Sequence, residues 1–307
     1  MEQAGETRRG LLYGFAAYLL WGGFPLYWPL LKPASALEIL AHRMVWSLGF
    51  VAILLWRTHG WGRVLAVLRN TRQRNLLTVA AVVVSVNWGT YIWGVNNHHV
   101  VETSLGYFIN PLFTILLGVL VLHERLRRAQ WVAVAIGTVA IVVLTVDYGR
   151  LPWIALTLAL SFGTYGYVKK RAGVGAVESI AVETGILFLP AVATLVVIGL
   201  NGTLAFGRHG AGNTALLIGT GVVTAIPLLF FAASAIRLPL STLGLLQYLA
   251  PVLQFGVGVL VDHEPMPAAR LAGFGLVWIA LVVLTVDGVR HSRHGSALSR
   301  AAANVAA

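Results

Sequence analysis

Long apolar runs separated by short polar segments dominate the hydropathy pattern of this chain. A helix needs about 20 apolar residues to cross a bilayer, because it rises about 1.5 Å per residue through roughly 30 Å of hydrocarbon. The qualifying windows are 11–31, 37–56, 75–96, 101–122, 130–147, 151–168, 177–200, 214–236, 239–261 and 270–287. The pattern therefore predicts an all-α integral membrane protein with ten transmembrane helices.

The basic residues favour one orientation for these windows. If the N-terminus is cytoplasmic and the windows alternate, the outer segments contain only Lys32, Arg150, Arg208 and Arg270. The other basic residues outside the windows then face the cytoplasm, as the positive-inside rule requires. We predict that both termini are cytoplasmic. The first window is long and lacks a small-residue cleavage site, so we expect an uncleaved span rather than a signal peptide.

The two halves of the chain resemble each other. The tetrapeptide at 144–147 recurs at 284–287, an offset of 140 residues. The same offset relates Pro111 to Pro251, Glu124 to Glu264, Glu38 to Glu178, and Tyr107 to Gln247. Because each half holds five windows, an odd number, the second half is expected to be inverted, as in many secondary transporters. The predicted units are a five-helix repeat over 1–148, its inverted counterpart over 149–288, and a disordered cytoplasmic tail over 289–307.

Composition agrees with a bilayer environment. Hydrophobic residues form 58% of the chain and charged residues 11%, against about 25% charged in soluble domains. The net charge of +11 is distributed over short gaps between apolar runs, which indicates membrane topology rather than nucleic-acid binding. The chain has no cysteine, which excludes thiol catalysis and cysteine zinc sites. His98-His99 lacks matching carboxylates and no Walker motif occurs, so we expect no metal, no cofactor and no ATP-driven step.

Charged residues inside the second window are candidates for function, because each costs about 2.5–3.5 kcal/mol at the bilayer centre. Glu38 and His42 share a helix face, with Arg43 beside it. Arg43 could bind a carboxylate, while Glu38 and His42 could shuttle a proton. The alternative is a structural ion pair, with Arg43 about 9 Å deep and snorkelling to the interface. Glu183 lies 140 residues after Arg43 and could pair with it, or be an interfacial carboxylate beside basic residues.

Prolines and polar residues in other windows suggest a polar cavity. Pro111 removes a backbone donor and frees the carbonyl of Tyr107, and Pro251 does the same for Gln247. Interrupted helices at matching positions are typical of transporter substrate sites, although a plain kink is the alternative. Asn110 could bond the freed backbone or face substrate. The predicted binding or coupling residues are Glu38, His42, Arg43, Asn87, Trp88, Tyr91, Tyr107, Asn110, Tyr165, Glu183, Gln247 and Tyr248, with helix breaks at Pro111 and Pro251.

Several motifs match a known family. They are Leu20-Trp21-Gly22, Glu38-Ile39-Leu40, Ile92 to His99, the run SLGYFINPL from Ser104 to Leu112, and Gln247-Tyr248. On these residues the chain resembles the RarD, or chloramphenicol-sensitive, branch of the EamA drug/metabolite transporters. The resemblance implies ten spans, a plasma-membrane location and transport of small molecules without a defined substrate. His123-Glu124 and His263-Glu264 stand where the family pattern has Gly-Glu, a departure that concerns turn chemistry.

We therefore expect a secondary carrier and not an enzyme. Its substrate would be a small amphipathic metabolite or drug-like molecule, exported by alternating access, with protons as candidate coupling ions. The alternative is an intramembrane enzyme acting on a lipid or lipid-linked substrate, with Glu38 and His42 as acid and base. A third hypothesis, a sensor or scaffold, predicts no flux. The sequence carries no signal of oligomeric state.

Overall fold

The structure, a computed structural model, describes residues 2–122, 126–235, 237–238, 242 and 246–305. Within these ranges the secondary structure is helical, with no strand. The helices are α1 (Glu2–Gly22), α2 (Phe24–Tyr27), a 3-10 turn (Trp28–Leu31), α3 (Ala36–Arg57), α4 (Trp61–Arg69), α5 (Thr71–Asn96), α6 (Val100–Leu122), α7 (Arg128–Tyr148), α8 (Trp153–Ala172), α9 (Ala176–Leu200), α10 (Gly210–Ala235), α11 (Leu249–Leu260) and α12 (Ala268–Val305).

Seven stretches of these helices are long and apolar enough to cross a membrane. They are Ala36–Arg57, Thr71–Asn96, Val100–Leu117, Arg128–Tyr148, Ala176–Leu200, Gly210–Ser234 and Ala268–Gly288. The prediction of an all-α, multi-pass membrane protein is thereby confirmed. The other predicted windows contain α8, the 12-residue α11, and α1 followed by α2 and the 3-10 turn. Pro25 and Pro29 interrupt the first window, since each lacks a backbone donor.

Local sequence sets several helix ends. The side chain of Ser35 accepts a hydrogen bond from the backbone N–H of Glu38 at 3.2 Å and so begins α3. Asn70 ends α4 and accepts from the Gln73 N–H at 3.1 Å to begin α5. Gly149 and Gly173 adopt left-handed backbone angles, with φ of 63° and 60°, and end α7 and α8.

The helices form a central group and a peripheral pair. Helix α3 packs against α9 and α10, α1 against α10 and α11, α6 against α8 and α11, and α5 against α8. Helices α7 and α12 pack mainly against each other. Arg270 at the start of α12 pairs with Asp147 at the end of α7 at 2.9 Å. Arg127 before α7 pairs with Asp287 in α12 at 2.5 Å. The two helices are therefore antiparallel.

The two prolines at matching sequence positions differ in local structure. Pro111 lies inside the continuous helix α6, whereas Pro251 lies in the first turn of α11, which begins at Leu249. A proline is tolerated in a first turn because its missing N–H would have no partner there. Glu124 lies outside the described residues. Helix α12 extends to Val305, well into the segment that we predicted to be a disordered tail.

Helices α3 and α10 meet through their backbones at Gly221. A Cβ added there would clash with the backbone carbonyl group of Trp46. We expect Gly221→Ala to lower the free energy of unfolding by about 1–3 kcal/mol, because the two helices must separate. Thermal unfolding of the detergent-solubilised protein measures this. The matched control is Gly49→Ala on α3, where the new Cβ has no neighbour within 4 Å. An equal loss in both variants would contradict the predicted contact.

Candidate functional site

Arg43 lies in an aromatic enclosure between α3, α5, α10 and the segment after α1. Arg43 is 3% exposed, and its Nε donates to the Thr224 hydroxyl oxygen at 2.7 Å. Its guanidinium carbon lies 3.7 Å from the ring centroid of Trp88, 5.3 Å from that of Trp28 and 5.7 Å from that of Phe24. These distances place the cation on aromatic faces, which attract it. Such burial argues against the alternative in which Arg43 snorkels to the interface.

Two tyrosines complete this cluster and connect it to α6 and α8. Tyr91 belongs to the same buried cluster as Phe24 and Trp28, Tyr107 packs against that cluster, and the ring centroids of the two tyrosines are 5.6 Å apart. The Tyr107 hydroxyl donates to Asn87 Oδ1 at 3.2 Å. Asn87 Nδ2 donates to the Leu158 carbonyl at 3.1 Å and to Ser161 Oγ at 2.9 Å. The buried Asn87 amide therefore joins three helices behind the enclosure.

Glu38 binds backbone rather than Arg43. Its carboxylate accepts hydrogen bonds from the N–H groups of Ala205 and Phe206, each at 2.9 Å, in the segment before α10. His42 Nδ1 accepts from Trp46 Nε1 at 3.1 Å, which places the imidazole proton on Nε2. That Nε2 lies 3.9 Å from Glu38, beyond hydrogen-bond distance. Through these hydrogen bonds, Glu38 joins α3 to the segment before α10.

Glu183 is engaged within the second half of the chain. Lys169 Nζ donates to its carboxylate at 2.7 Å, Ser179 Oγ at 2.7 Å and the Tyr165 hydroxyl at 3.1 Å. The pairing of Glu183 with Arg43 that the 140-residue offset suggested is therefore wrong, because Lys169 already neutralises this carboxylate.

The remaining predicted residues lie apart from the Arg43 cluster. Asn110 Oδ1 is buried without a hydrogen-bond partner, close to Gly163 on α8. Tyr248 lines a cavity of about 260 Å³ with Phe108 and Trp278, and this cavity shares no residue with the cluster. Gln247 is half-buried beside Tyr248.

The sequence pattern did not single out Thr224, Phe24 or Trp28 as lining residues. Thr224 is a small hydroxyl in an apolar window, and its contact with Arg43 joins residues 181 positions apart. Phe24 and Trp28 carried a usable signal, because they flank Pro25 and Pro29 in a window that those prolines interrupt.

At the end of the molecule opposite the termini, two carboxylates join neighbouring helices through hydrogen bonds. Glu264, between α11 and α12, accepts from the N–H groups of Val100 and Val101 at the start of α6. Glu102 accepts from Arg150 at 2.7 Å and from the Ile154 N–H at 3.2 Å at the start of α8. Carboxylates are favourable at helix N-termini, where backbone donors lack partners. Burial raises the pKa of Glu264 to about 7.

Comparisons with known proteins agree on one family. A family model described as EamA-like transporter family matches residues 8–146. RarD of Streptomyces exfoliatus is 59% identical over 99% of this chain and 96% of the relative. The uncharacterized transporter YojE of Bacillus subtilis is 40% identical over 95% of this chain and 98% of the relative. A solved crystal structure, 21% identical, superposes with a TM-score of 0.58 over 90% of this chain and 97% of that chain, and so shares the fold.

The raised pKa of Glu264 predicts a pH-dependent stability. Below the ordinary pKa of 4.5 this glutamate is protonated in both states; between 4.5 and about 7 the folded state holds the extra proton. Its contribution is therefore present at low pH and is lost as the pH rises through about 7. We expect wild-type protein to lose about 1–2 kcal/mol from this source between pH 5 and pH 8, after allowance for solvent screening.

The measurement is the thermal midpoint at both pH values for wild type and Glu264→Gln. The variant should show a smaller pH dependence, since glutamine does not titrate. Nearby Asp262, His98 and Arg270 are common to both proteins, so their contributions cancel in the difference. Identical pH profiles would contradict the assignment.

Proposed function

Because the chain belongs to the RarD branch of the EamA-like transporter family, we propose that it is a secondary carrier working by alternating access. Its homologues are named transporters, so it is a multi-pass transporter of the bacterial plasma membrane and not an enzyme. The proposal adds that a small amphipathic molecule is exported, that it binds between the two halves, and that a proton or substrate gradient drives its movement.

The packing of the helices carries this proposal. In the two predicted repeats, α1 corresponds to α8, α3 to α9, α5 to α10, α6 to α11 and α7 to α12. When the halves are exchanged, the contact α5–α8 therefore becomes α10–α1, α6–α8 becomes α11–α1, and α3–α10 becomes α9–α5. The contacts α3–α9, α6–α11 and α7–α12 map onto themselves. The main packing contacts are therefore preserved under this exchange, which supports ten spans in two inverted five-helix repeats, 1–148 and 149–288. It also supports two conformations related by the same exchange, which alternating access requires.

Matching polar contacts at the two ends support the same scheme. Glu38 in the first turn of α3 reaches the segment before α10, in the other half. Glu178 in the first turn of α9 reaches Arg63 of α4, again in the other half, at 2.5 Å. In the proposed cycle one set of contacts opens while the other closes. We place the end opposite the termini on the outer side.

The site geometry favours a carrier over the intramembrane enzyme. An acid and base pair would need access to substrate, but Glu38 is 0% exposed and its carboxylate is held by two backbone N–H groups. The enclosure around Arg43 instead offers aromatic faces and polar groups, which suit reversible binding of an amphipathic molecule.

Flux into and out of proteoliposomes tests the function. A panel of small organic acids, amines, amides and amphipathic drugs would be assayed with and without a pH gradient. The proposal expects saturable flux of at least one class, and a response to the pH gradient if protons are coupled. Conversion of a compound into a product would contradict it, as would the absence of flux with every class.

A reducible cross-link at the end opposite the termini should stop transport. His98 Nδ1 lies 3.0 Å from Asp262 Oδ1, so cysteines at these two positions are within reach of a short bis-methanethiosulfonate cross-linker. We expect cross-linked His98→Cys/Asp262→Cys protein to lose at least about 90% of its flux and to recover it on reduction, because this end must open in each cycle. Each single variant, treated with the same reagent, is the control in a chain without native cysteine. Full flux in the cross-linked protein would contradict the cycle.

A further inference from the structure

The acidic side chains that the structure describes are all engaged, and none of them by Arg43. Each carboxylate has a basic side chain or backbone N–H groups as its partner. The contrast is sharpest between Arg43 and Glu183, which occupy equivalent positions 140 residues apart. Glu183 has Lys169 at 2.7 Å, whereas Arg43 has no acidic partner in the described part of the chain. The protein thus neutralises its buried anion and leaves its buried cation without a counter-charge.

The contacts that Arg43 does make do not balance its burial. Its Nε is bonded to Thr224, and its two terminal nitrogens have no hydrogen-bond acceptor among the described residues. The ring of Trp88 at 3.7 Å supplies a cation–π contact, which is weaker than the hydration that a buried ion loses. The edge formed by the two terminal nitrogens is the edge that binds a carboxylate through two parallel hydrogen bonds.

Neighbouring donors point to the same ligand chemistry. The indole N–H of Trp28 and the hydroxyl of Tyr91 are both buried without a hydrogen-bond partner. An indole N–H can only donate. A cation accompanied by free donors is complementary to an anion and would repel an amine. One positive charge matches a monocarboxylate, whereas a phosphate dianion would leave a buried charge uncompensated.

From this arrangement we propose that Arg43 binds the carboxylate of the transported molecule. The substrate class is then a small monocarboxylic acid with a planar or otherwise apolar body, held against Trp88, Trp28 and Phe24. The proposal rests on the proposed carrier function and specifies the chemistry of its site.

Matched ligands test it. Benzoate, phenylacetate and hexanoate, each with its amide and its amine, would be added at pH 7.5 to the full chain in a neutral detergent, and binding followed by thermal shift and calorimetry. At least one carboxylate should bind 10-fold or more tightly than its amide and amine. Arg43→Met should weaken that carboxylate at least about 30-fold, and Arg43→Lys should weaken it less. Tighter binding of the amides or amines would overturn the proposal.

The matched control is Arg270→Met, which removes an arginine of α12 that is paired with Asp147. This variant should bind the carboxylate as wild type does. An equal loss of carboxylate binding in Arg270→Met and Arg43→Met would overturn the specific role of Arg43.

The thermal midpoints of the same arginine variants, measured without ligand, test the role of Arg43 even if none of the probe compounds binds. Without added ligand, Arg43→Met should raise the thermal midpoint, because it removes a buried charge that the fold does not neutralise. Arg270→Met should lower the midpoint, because it leaves Asp147 unpaired. A fall in the midpoint of Arg43→Met as large as that of Arg270→Met would show that Arg43 is a structural residue and would overturn the proposal.

Failure of the carrier function gives a different result. Carboxylate binding that depends on Arg43 but is never accompanied by flux in proteoliposomes would contradict the transport function and would support carboxylate binding at Arg43. Saturable flux that depends on Arg43 equally for neutral and anionic members of a set would keep the carrier and overturn the anion site.

Discussion

In a bilayer a buried charge must be neutralised within the protein, and this requirement organises the polar residues of the structure. Lys169 neutralises Glu183, and the arginines at the starts of α7 and α12 neutralise an aspartate on the helix packed against each of them. Glu38 is stabilised by two backbone N–H groups. Arg43 is the described buried charge that lacks such a partner, and aromatic rings surround it instead. A cation kept in this state costs stability, which is the usual mark of a functional residue in a membrane span.

The proposed internal symmetry accounts for the packing of the helices, and the charges at positions 43 and 183 depart from it. The main contacts between helices are preserved when the halves are exchanged, and polar contacts such as those of Glu38 and Glu178 recur at opposite ends. In the proposed cycle, such a symmetric scaffold would provide two conformations of similar energy. The chemistry is not symmetric, because position 43 carries an arginine and position 183 a glutamate. Recognition of a ligand is accordingly expected where the two halves differ in charge, on the Arg43 side.

The sequence predicted the membrane fold because bilayer thickness fixes the length of an apolar span, whatever the tertiary structure. It also singled out Arg43, Asn87, Trp88, Tyr91 and Tyr107, which lie together in the structure, since polar and aromatic residues inside apolar windows are conspicuous. It did not identify Thr224, whose contact with Arg43 depends on how α3 and α10 pack. Pro111 and Pro251 show a second limit. A proline in the sequence shows that one backbone donor is missing. Whether the helix continues through it, as α6 does, or begins near it, as α11 does, depends on the neighbouring segments.

Labelling of Thr224→Cys with a membrane-impermeant maleimide tests alternating access most directly. Thr224 is 1% exposed beside Arg43, and the chain has no other cysteine. We expect labelling from the outside in intact cells and from the inside in inverted vesicles, because the same position opens to each side in turn. The lipid-facing control Val142→Cys should stay unlabelled in both preparations. Labelling of Thr224→Cys from one side only, or from neither, would contradict alternating access.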